Sequence, residues 1–163
     1  MWKYFAVAFL LGAATAQAAI TEEKALQQAL AFANVSEQQL TALKIEDGEE
    51  SGVKVYKLEF ETPFGDYDFA YAKASGKLID ADYDLEDNYI KRHRGRQVMS
   101  AQAAKQLMSQ KLHAPASAIY LEEQGGRNEP RFDGRCEHNQ LEYEFEIDRL
   151  SGLIIDFTAD YKD

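Results

Sequence analysis

The chain has 163 residues and a formal net charge of −10, with 45% hydrophobic and 12% aromatic residues. This apolar content suffices for a packed core and excludes a wholly disordered chain. The acidic balance argues against binding to nucleic acid or to anionic membrane surfaces, because both need a dense basic surface.

Residues 1–18 have the features of a secretory signal peptide. Lys3 adds a positive charge near the N-terminus, an apolar run follows, and Ala16-Gln17-Ala18 has small residues where a signal peptidase cleaves. The apolar run is shorter than the roughly 20 residues of a membrane-spanning helix, which favours cleavage over an anchor. We therefore predict a periplasmic or secreted protein that does not insert into a membrane after cleavage.

The rest of the chain contains one pattern twice. Tyr67-Asp68-Phe69-Ala70-Tyr71 matches Tyr143-Glu144-Phe145-Glu146-Ile147 at an offset of 76 residues, and Ser75-Gly76 matches Ser151-Gly152 at the same offset. The segments that precede the strands match at an offset of 79. The sequence therefore predicts a first module at 19–90, a basic linker at 91–97 and a second module at 98–163.

Each module is predicted to begin with a short amphipathic helix. Thr21 and Ser100 are candidate N-cap residues, and apolar side chains follow at helical spacing, including Ala25 in the first copy and Ala104 in the second. Such short helices are marginal alone and need a sheet to pack on.

The helices are followed by strands in which apolar and polar residues alternate. Tyr56, Leu58 and Phe60 alternate with charged residues, and so do the four apolar residues of 141–147. Short strands are also predicted at about 42–46 and 118–122. This alternation is typical of a sheet with one covered face. The predicted fold class is therefore α+β, with two tandem modules that each pack one helix on a three- to four-stranded antiparallel sheet.

The linker carries a basic cluster, Lys91, Arg92, Arg94 and Arg96. It is interpreted either as a solvated connector, as a docking site for an acidic partner, or as a cleavage site for a trypsin-like protease. We name its four cations as candidate partner-binding residues.

Asp80, Asp82 and Asp84 occupy one face of a predicted strand and form a candidate cation-binding face. The alternative is a solvated outer surface, because the glycine and the terminal glutamate of an EF-hand loop are missing and the second copy keeps only Asp156 and Asp160. No cofactor and no defined metal site are predicted.

Cys136 and His138 form a C-x-H pair, but zinc sites usually need four ligands. The repeat aligns Cys136 with Phe60, which favours a buried position over an intermolecular disulfide or a metal ligand. The sequence lacks the G-x-S-x-G nucleophile motif, and no catalytic residue is predicted.

The ordered motifs resemble the PepSY domain family. The resemblance rests on Ile20-Thr21 through Ala25, Tyr56 through Phe60, Tyr67 through Tyr71 and Ser75 through Ile79, and on their counterparts in the second copy. PepSY modules occur in propeptides of secreted metallopeptidases and in exported bacterial proteins, and they have no family-wide catalytic residues. The resemblance implies a non-catalytic binding module that modulates a partner protein, such as a peptidase, in the cell envelope. The alternative is an envelope sensor or carrier that binds a cation or a small ligand through its acidic faces.

Overall fold

The computed structural model of the protein describes residues 18–162. The predicted signal peptide falls almost entirely on residues 1–17, which lie outside the described part. Within 18–162, no helix is long and apolar enough to span a bilayer.

Three α-helices lie in the described part, α1 (Glu22–Ala33), α2 (Asp87–His93) and α3 (Ala101–Leu112). The predicted caps are confirmed: Thr21 Oγ1 accepts a hydrogen bond from Lys24 N, and Ser100 Oγ accepts one from Ala103 N. Each cap satisfies a backbone N–H that the first helical turn leaves without a partner. Both long helices end at a residue in the left-handed conformation, Asn34 and His113.

The eight strands belong to a single antiparallel sheet with the order β1-β2-β3-β4-β8-β7-β6-β5. They are β1 (Ala42–Glu50), β2 (Val53–Thr62), β3 (Gly65–Ala72), β4 (Leu78–Leu85), β5 (Ile119–Gln124), β6 (Arg131–His138), β7 (Leu141–Asp148) and β8 (Ile154–Tyr161). The antiparallel α+β class is thus as predicted.

The prediction of two separate small sheets is wrong, because β4 pairs directly with β8. Alone, each of these strands would leave a row of backbone N–H and C=O groups unpaired at a sheet edge. Pairing satisfies those groups and places the Tyr83 ring on the Phe157 ring, with centroids 5.3 Å apart. The division into modules at 19–90 and 98–163 stays a prediction.

The bounds of the elements follow the two offsets of the sequence repeat. β3 and β7 are 76 residues apart at both ends, as are β4 and β8, whereas α1 and α3 are 79 apart. The register of β4 with β8 is symmetric as well, since Asp82 lies opposite Thr158, its own counterpart in the repeat. The middle of the sheet therefore has approximate two-fold symmetry.

α1 and α3 pack on one face of the sheet and share one core. That core contains Ala25 and Ala29 of α1, Met108 of α3, and strand residues such as Phe60 and Phe157. The buried strand residues are the alternating apolar positions that the sequence predicts. Cys136 is among them at 2% exposure, which confirms its predicted core position.

Candidate functional site: an acidic sheet face and a basic connection

The sheet face opposite α1 and α3 carries an array of carboxylates. Because side chains alternate along a strand, burial of Phe69, Tyr83, Phe145 and Phe157 directs their neighbours to the opposite face. On the four central strands those neighbours are Asp66, Asp68, Asp80, Asp82, Asp84, Glu142, Glu144, Glu146, Asp156 and Asp160. We call this set the acidic face.

Cations of the sheet lie on the outer strands or just beyond the central ones. β3, β4, β7 and β8 contain no lysine or arginine. Lys44 of β1 lies 3.4 Å from Glu59 of β2, and Arg131 of β6 reaches Glu146 at 3.5 Å. Lys162, which follows β8, pairs with Glu142. Among residues 18–162, the other eight carboxylates of the acidic face form no ion pair.

Several of these carboxylates lie directly opposite one another across paired strands. Asp68 is opposite Asp82 in the pairing of β3 with β4. Asp80 is opposite Asp160 in the pairing of β4 with β8. Like charges at opposed positions destabilise a sheet. The acidic face therefore costs the protein free energy of folding instead of contributing to it.

Burial and repulsion also raise the pKa of some of these groups. Desolvation is the larger cause at Asp80, and the nearby charge of Asp160 adds to it, so that the pKa of Asp80 rises to about 6. The pKa values of Asp68 and Asp156 are raised in the same direction, first by desolvation and then by neighbouring carboxylates. The face holds more negative charge than its own surroundings stabilise.

The predicted cation-binding residues lie in a row along β4, but their spacing does not suit one ion. Alternate residues of a strand are roughly 6.6 Å apart, whereas Ca²⁺ binds its oxygen ligands at about 2.3–2.6 Å. Within the described residues, no three His, Cys, Asp or Glu side chains are grouped to hold a metal ion. The arrangement of Asp80, Asp82 and Asp84 favours a broad charged surface over a metal site.

The basic segment at 91–97 is partly helical. Lys91 and Arg92 lie in the last turn of α2, where Lys91 pairs with Asp87 at 3.3 Å. Arg92 and Arg96 are exposed. Basic side chains in the last turn of a helix interact favourably with its dipole. This gives two of the four candidate partner-binding residues a local structural role.

Arg94 is engaged inside the protein. Its Nη2 donates to Asp148 Oδ1 at 2.9 Å and its Nε donates to the same oxygen at 3.1 Å. Asp148 is 2% exposed at the end of β7, and its other oxygen accepts a hydrogen bond from Ser151 N. Arg94 therefore attaches the basic segment to the second half, and docking by Lys91, Arg92 and Arg96 stays a prediction.

The sequence reasoning found the carboxylate row on β4 but not its extension across the sheet. Glu144 and Asp156 join that row only because β4 pairs with β8 and β8 with β7. The available signal was the repeat itself, since a register symmetric about Asp82 and Thr158 brings the acidic strands of both copies together. Lys111, on the opposite side of the sheet, was also missed.

The comparisons with known proteins bear on the fold. No family model matches the chain, and no curated protein matches it significantly. Among solved structures, the C-terminal domain of YpeB from Bacillus megaterium aligns with a TM-score of 0.53 at 17% identity, over 86% of this chain and 63% of that one. A lipoprotein candidate from Clostridium difficile 630 aligns with a TM-score of 0.33 at 12% identity, over 75% and 82% of the two chains. The chain thus spans less than two thirds of the YpeB structure that it matches, and it shares the α+β fold of that domain.

Proposed function

We propose that this protein is an exported, non-catalytic binding module whose acidic face docks a basic surface of a partner protein. The observation that carries the proposal is the block of unpaired carboxylates in the middle of an uncovered sheet face. Opposed carboxylates such as Asp68 and Asp82 lower the stability of the free protein, and a cationic partner would relieve that repulsion.

The dimensions of the face suit a protein more than an ion. Eight strands about 4.8 Å apart, with about eight residues each, give a face of roughly 38 Å by 26 Å. A standard interface covers about 800 Å² on each partner. The whole face is of that size, and the acidic face forms its centre.

The resemblance to PepSY modules favours a peptidase of the cell envelope as the partner. In that case the mechanism is steric: the sheet covers the partner's cleft or its approach, and this chain contributes no reacting group. Complementary charge would steer the encounter and make the association rate fall with rising salt.

Charge neutralisation with a matched control tests this proposal. The test variant combines Asp82→Asn, Glu144→Gln and Asp156→Asn. The control variant combines Glu22→Gln, Glu23→Gln and Glu37→Gln, which removes the same charge from exposed positions outside the sheet. The immobilised mature proteins are incubated with an envelope extract, and each purified protein is then added to the captured peptidase.

We expect the wild type and the control variant to capture a peptidase and change its rate, and the test variant to capture it at least tenfold less. Removing like-charge repulsion should leave the test variant as stable as the wild type or more so, so that misfolding does not explain the loss. Equal capture by the test variant, or a captured protein whose activity the pure protein does not change, would refute the proposal.

A further inference from the structure

A large groove lies on the opposite side of the sheet, between α1 and α3. Its volume is about 1410 Å³, and the C-terminal halves of both helices form its walls above the central strands. Its lining is largely aromatic and aliphatic, with Tyr67, Tyr71, Tyr143 and Leu107 among the contributing side chains. Ligand sites in proteins typically measure roughly 300–1,000 Å³ and are mostly apolar with a few polar groups, so this groove can accept a long apolar ligand.

The groove lining contains no aspartate or glutamate, although the chain has 28 acidic residues. The titratable cations and imidazole along it are Lys77, Lys111 and His113. Lys77 and His113 are exposed at its rim, whereas Lys111 is half-buried. The potential inside the groove thus has the opposite sign from that of the acidic face.

Lys111 has an unusual environment for a lysine. Its Nζ lies 4.1 Å from the centre of the Phe32 ring and 5.9 Å from the centres of the Tyr83 and Phe157 rings. It donates a hydrogen bond to Phe32 O, and among the described residues no carboxylate lies within ion-pair distance. An ammonium group has three donors, so two remain for another acceptor. Desolvation lowers the pKa of Lys111 to about 8, which is the direction expected for a cation without a counter-ion.

The repeat shows that a lysine is not required at this position by the fold. Lys111 lies 79 residues after Phe32, its counterpart in the first copy, and both face the same core. An apolar side chain at residue 111 would fill the contact between the helices at lower desolvation cost. The second copy has a cation there instead, at the point where the groove is deepest among aromatic rings.

The sheet offers no edge to a peptide in this groove. The strands beneath it, β3, β4, β7 and β8, are each paired on both sides. The backbone N–H and C=O groups of a bound peptide would therefore find few partners, which makes a buried peptide costly. A hydrocarbon chain has no such groups.

From these observations we propose that the groove binds an apolar ligand with one acidic head group, of the fatty-acid class, and that Lys111 pairs with the carboxylate. The hydrocarbon chain would lie along the aromatic floor between α1 and α3. The site is independent of the acidic face, which lies on the other side of the sheet.

Three ligands with the same alkyl chain and different head groups test the proposal: dodecanoate, dodecanol and dodecyltrimethylammonium. Binding to the mature wild-type protein is measured by calorimetry at neutral pH, below the critical micelle concentration of each ligand. We expect saturable binding of one dodecanoate, at least tenfold weaker binding of dodecanol and still weaker binding of the cationic ligand. Equal affinity for dodecanoate and dodecanol would overturn the assignment of Lys111 as the head-group partner.

Variants on α3 separate binding from structure. Lys111→Met keeps the length of the side chain and removes the charge, whereas Lys105→Met removes a charge from the same helix outside the groove. We expect Lys111→Met to reduce dodecanoate affinity at least tenfold with dodecanol affinity unchanged, and Lys105→Met to change neither. Lys111→Arg, which keeps the charge, should retain the preference for dodecanoate.

Unchanged dodecanoate binding by a folded Lys111→Met variant would refute the proposal. Tighter binding of acetyl-Leu-Phe-Leu with a free C-terminal carboxylate than of dodecanoate would also refute it, since the occupant would then be a peptide. If Lys111→Met fails to fold, the head-group series on the wild type still decides the question.

Discussion

Gly134 lies opposite Phe145 in the pairing of β6 with β7. A Cβ atom added at Gly134 would overlap the Phe145 ring. The residue that corresponds to Gly134 in the first copy is Leu58, so the second copy has exchanged a leucine side chain for space that the phenylalanine ring occupies. Phe145 is 2% exposed and has little room to move.

We predict that Gly134→Ala lowers the free energy of unfolding by about 1–3 kcal/mol, because overpacking forces the ring or the backbone to shift. Urea denaturation followed by circular dichroism measures the change. Gly126→Ala is the matched control, since nothing lies within 4 Å of a Cβ atom there, and it should be close to neutral. Equal stability of the two variants would show that the Phe145 ring can move aside.

Asp80 is the residue at which the acidic face should affect stability most visibly with pH. Its pKa is raised to about 6 in the folded protein from an ordinary value of 3.8, first by desolvation and then by Asp160. Between about pH 4 and pH 6 the folded state therefore binds more protons at this group than the unfolded state does. Stability must fall as the pH rises through that window and level off above it.

We predict that Asp80→Asn is more stable than the wild type at pH 7 and shows a smaller loss of stability between about pH 4 and pH 6. Denaturation midpoints in urea across that range provide the measurement. Glu37→Gln, at an exposed position away from the sheet, should leave the pH dependence unchanged. If Asp80→Asn loses stability with rising pH as steeply as the wild type, other carboxylates of the acidic face cause the effect.

At the scale of elements, β8 is held to its neighbours mainly through Phe157. The ring of this fully buried residue contacts Phe32 of α1 at 5.2 Å between centroids, Tyr83 of β4 at 5.3 Å and Tyr143 of β7 at 6.0 Å. On the opposite face the same strand places Asp156 and Asp160 against the aspartates of β4. The aromatic contacts must therefore outweigh the repulsion for β4 and β8 to pair.

We predict that Phe157→Ala lowers the free energy of unfolding by about 3–5 kcal/mol, the usual cost of removing a buried phenylalanine ring. Leu43→Ala, at a 44% exposed position on β1, should cost far less. Denaturation monitored by circular dichroism compares the two. A cost for Phe157→Ala no greater than that of the control would mean that backbone pairing alone holds β4 to β8.

The elements that could be predicted from the sequence are those that local interactions determine. The starts of α1 and α3 follow from Thr21 and Ser100, which cap their own helices, and the buried strand positions follow from alternation. The pairing of β4 with β8 joins residues 76 apart in the repeat, and no local signal specifies it. The full acidic face and the aromatic surroundings of Lys111 depend on that pairing, so neither could be predicted in full.

At the scale of the whole molecule, one sheet and one shared core make the two halves a single cooperative unit. The core includes residues of both halves, from Ala25 to Ala159, and unfolding either half would expose the edge of β4 or β8. We therefore expect one unfolding transition, with near-ultraviolet and far-ultraviolet circular dichroism giving the same midpoint. Two separate midpoints would show that the halves unfold independently.

Separating the halves tests the same dependence more severely. A fragment of residues 19–97 would expose β4 as an edge strand, and exposed edges pair with other chains. Two copies of this fragment could pair β4 with β4 in the symmetric register, but Tyr83 would then lie opposite Ala81 and the stacking on Phe157 would be lost. We predict that residues 19–97 and 98–163 are each self-associated or unfolded alone and form a one-to-one complex when mixed. Size-exclusion chromatography with light scattering measures these masses, and a stable, folded monomer of residues 19–97 would contradict the dependence of each half on the β4–β8 pair.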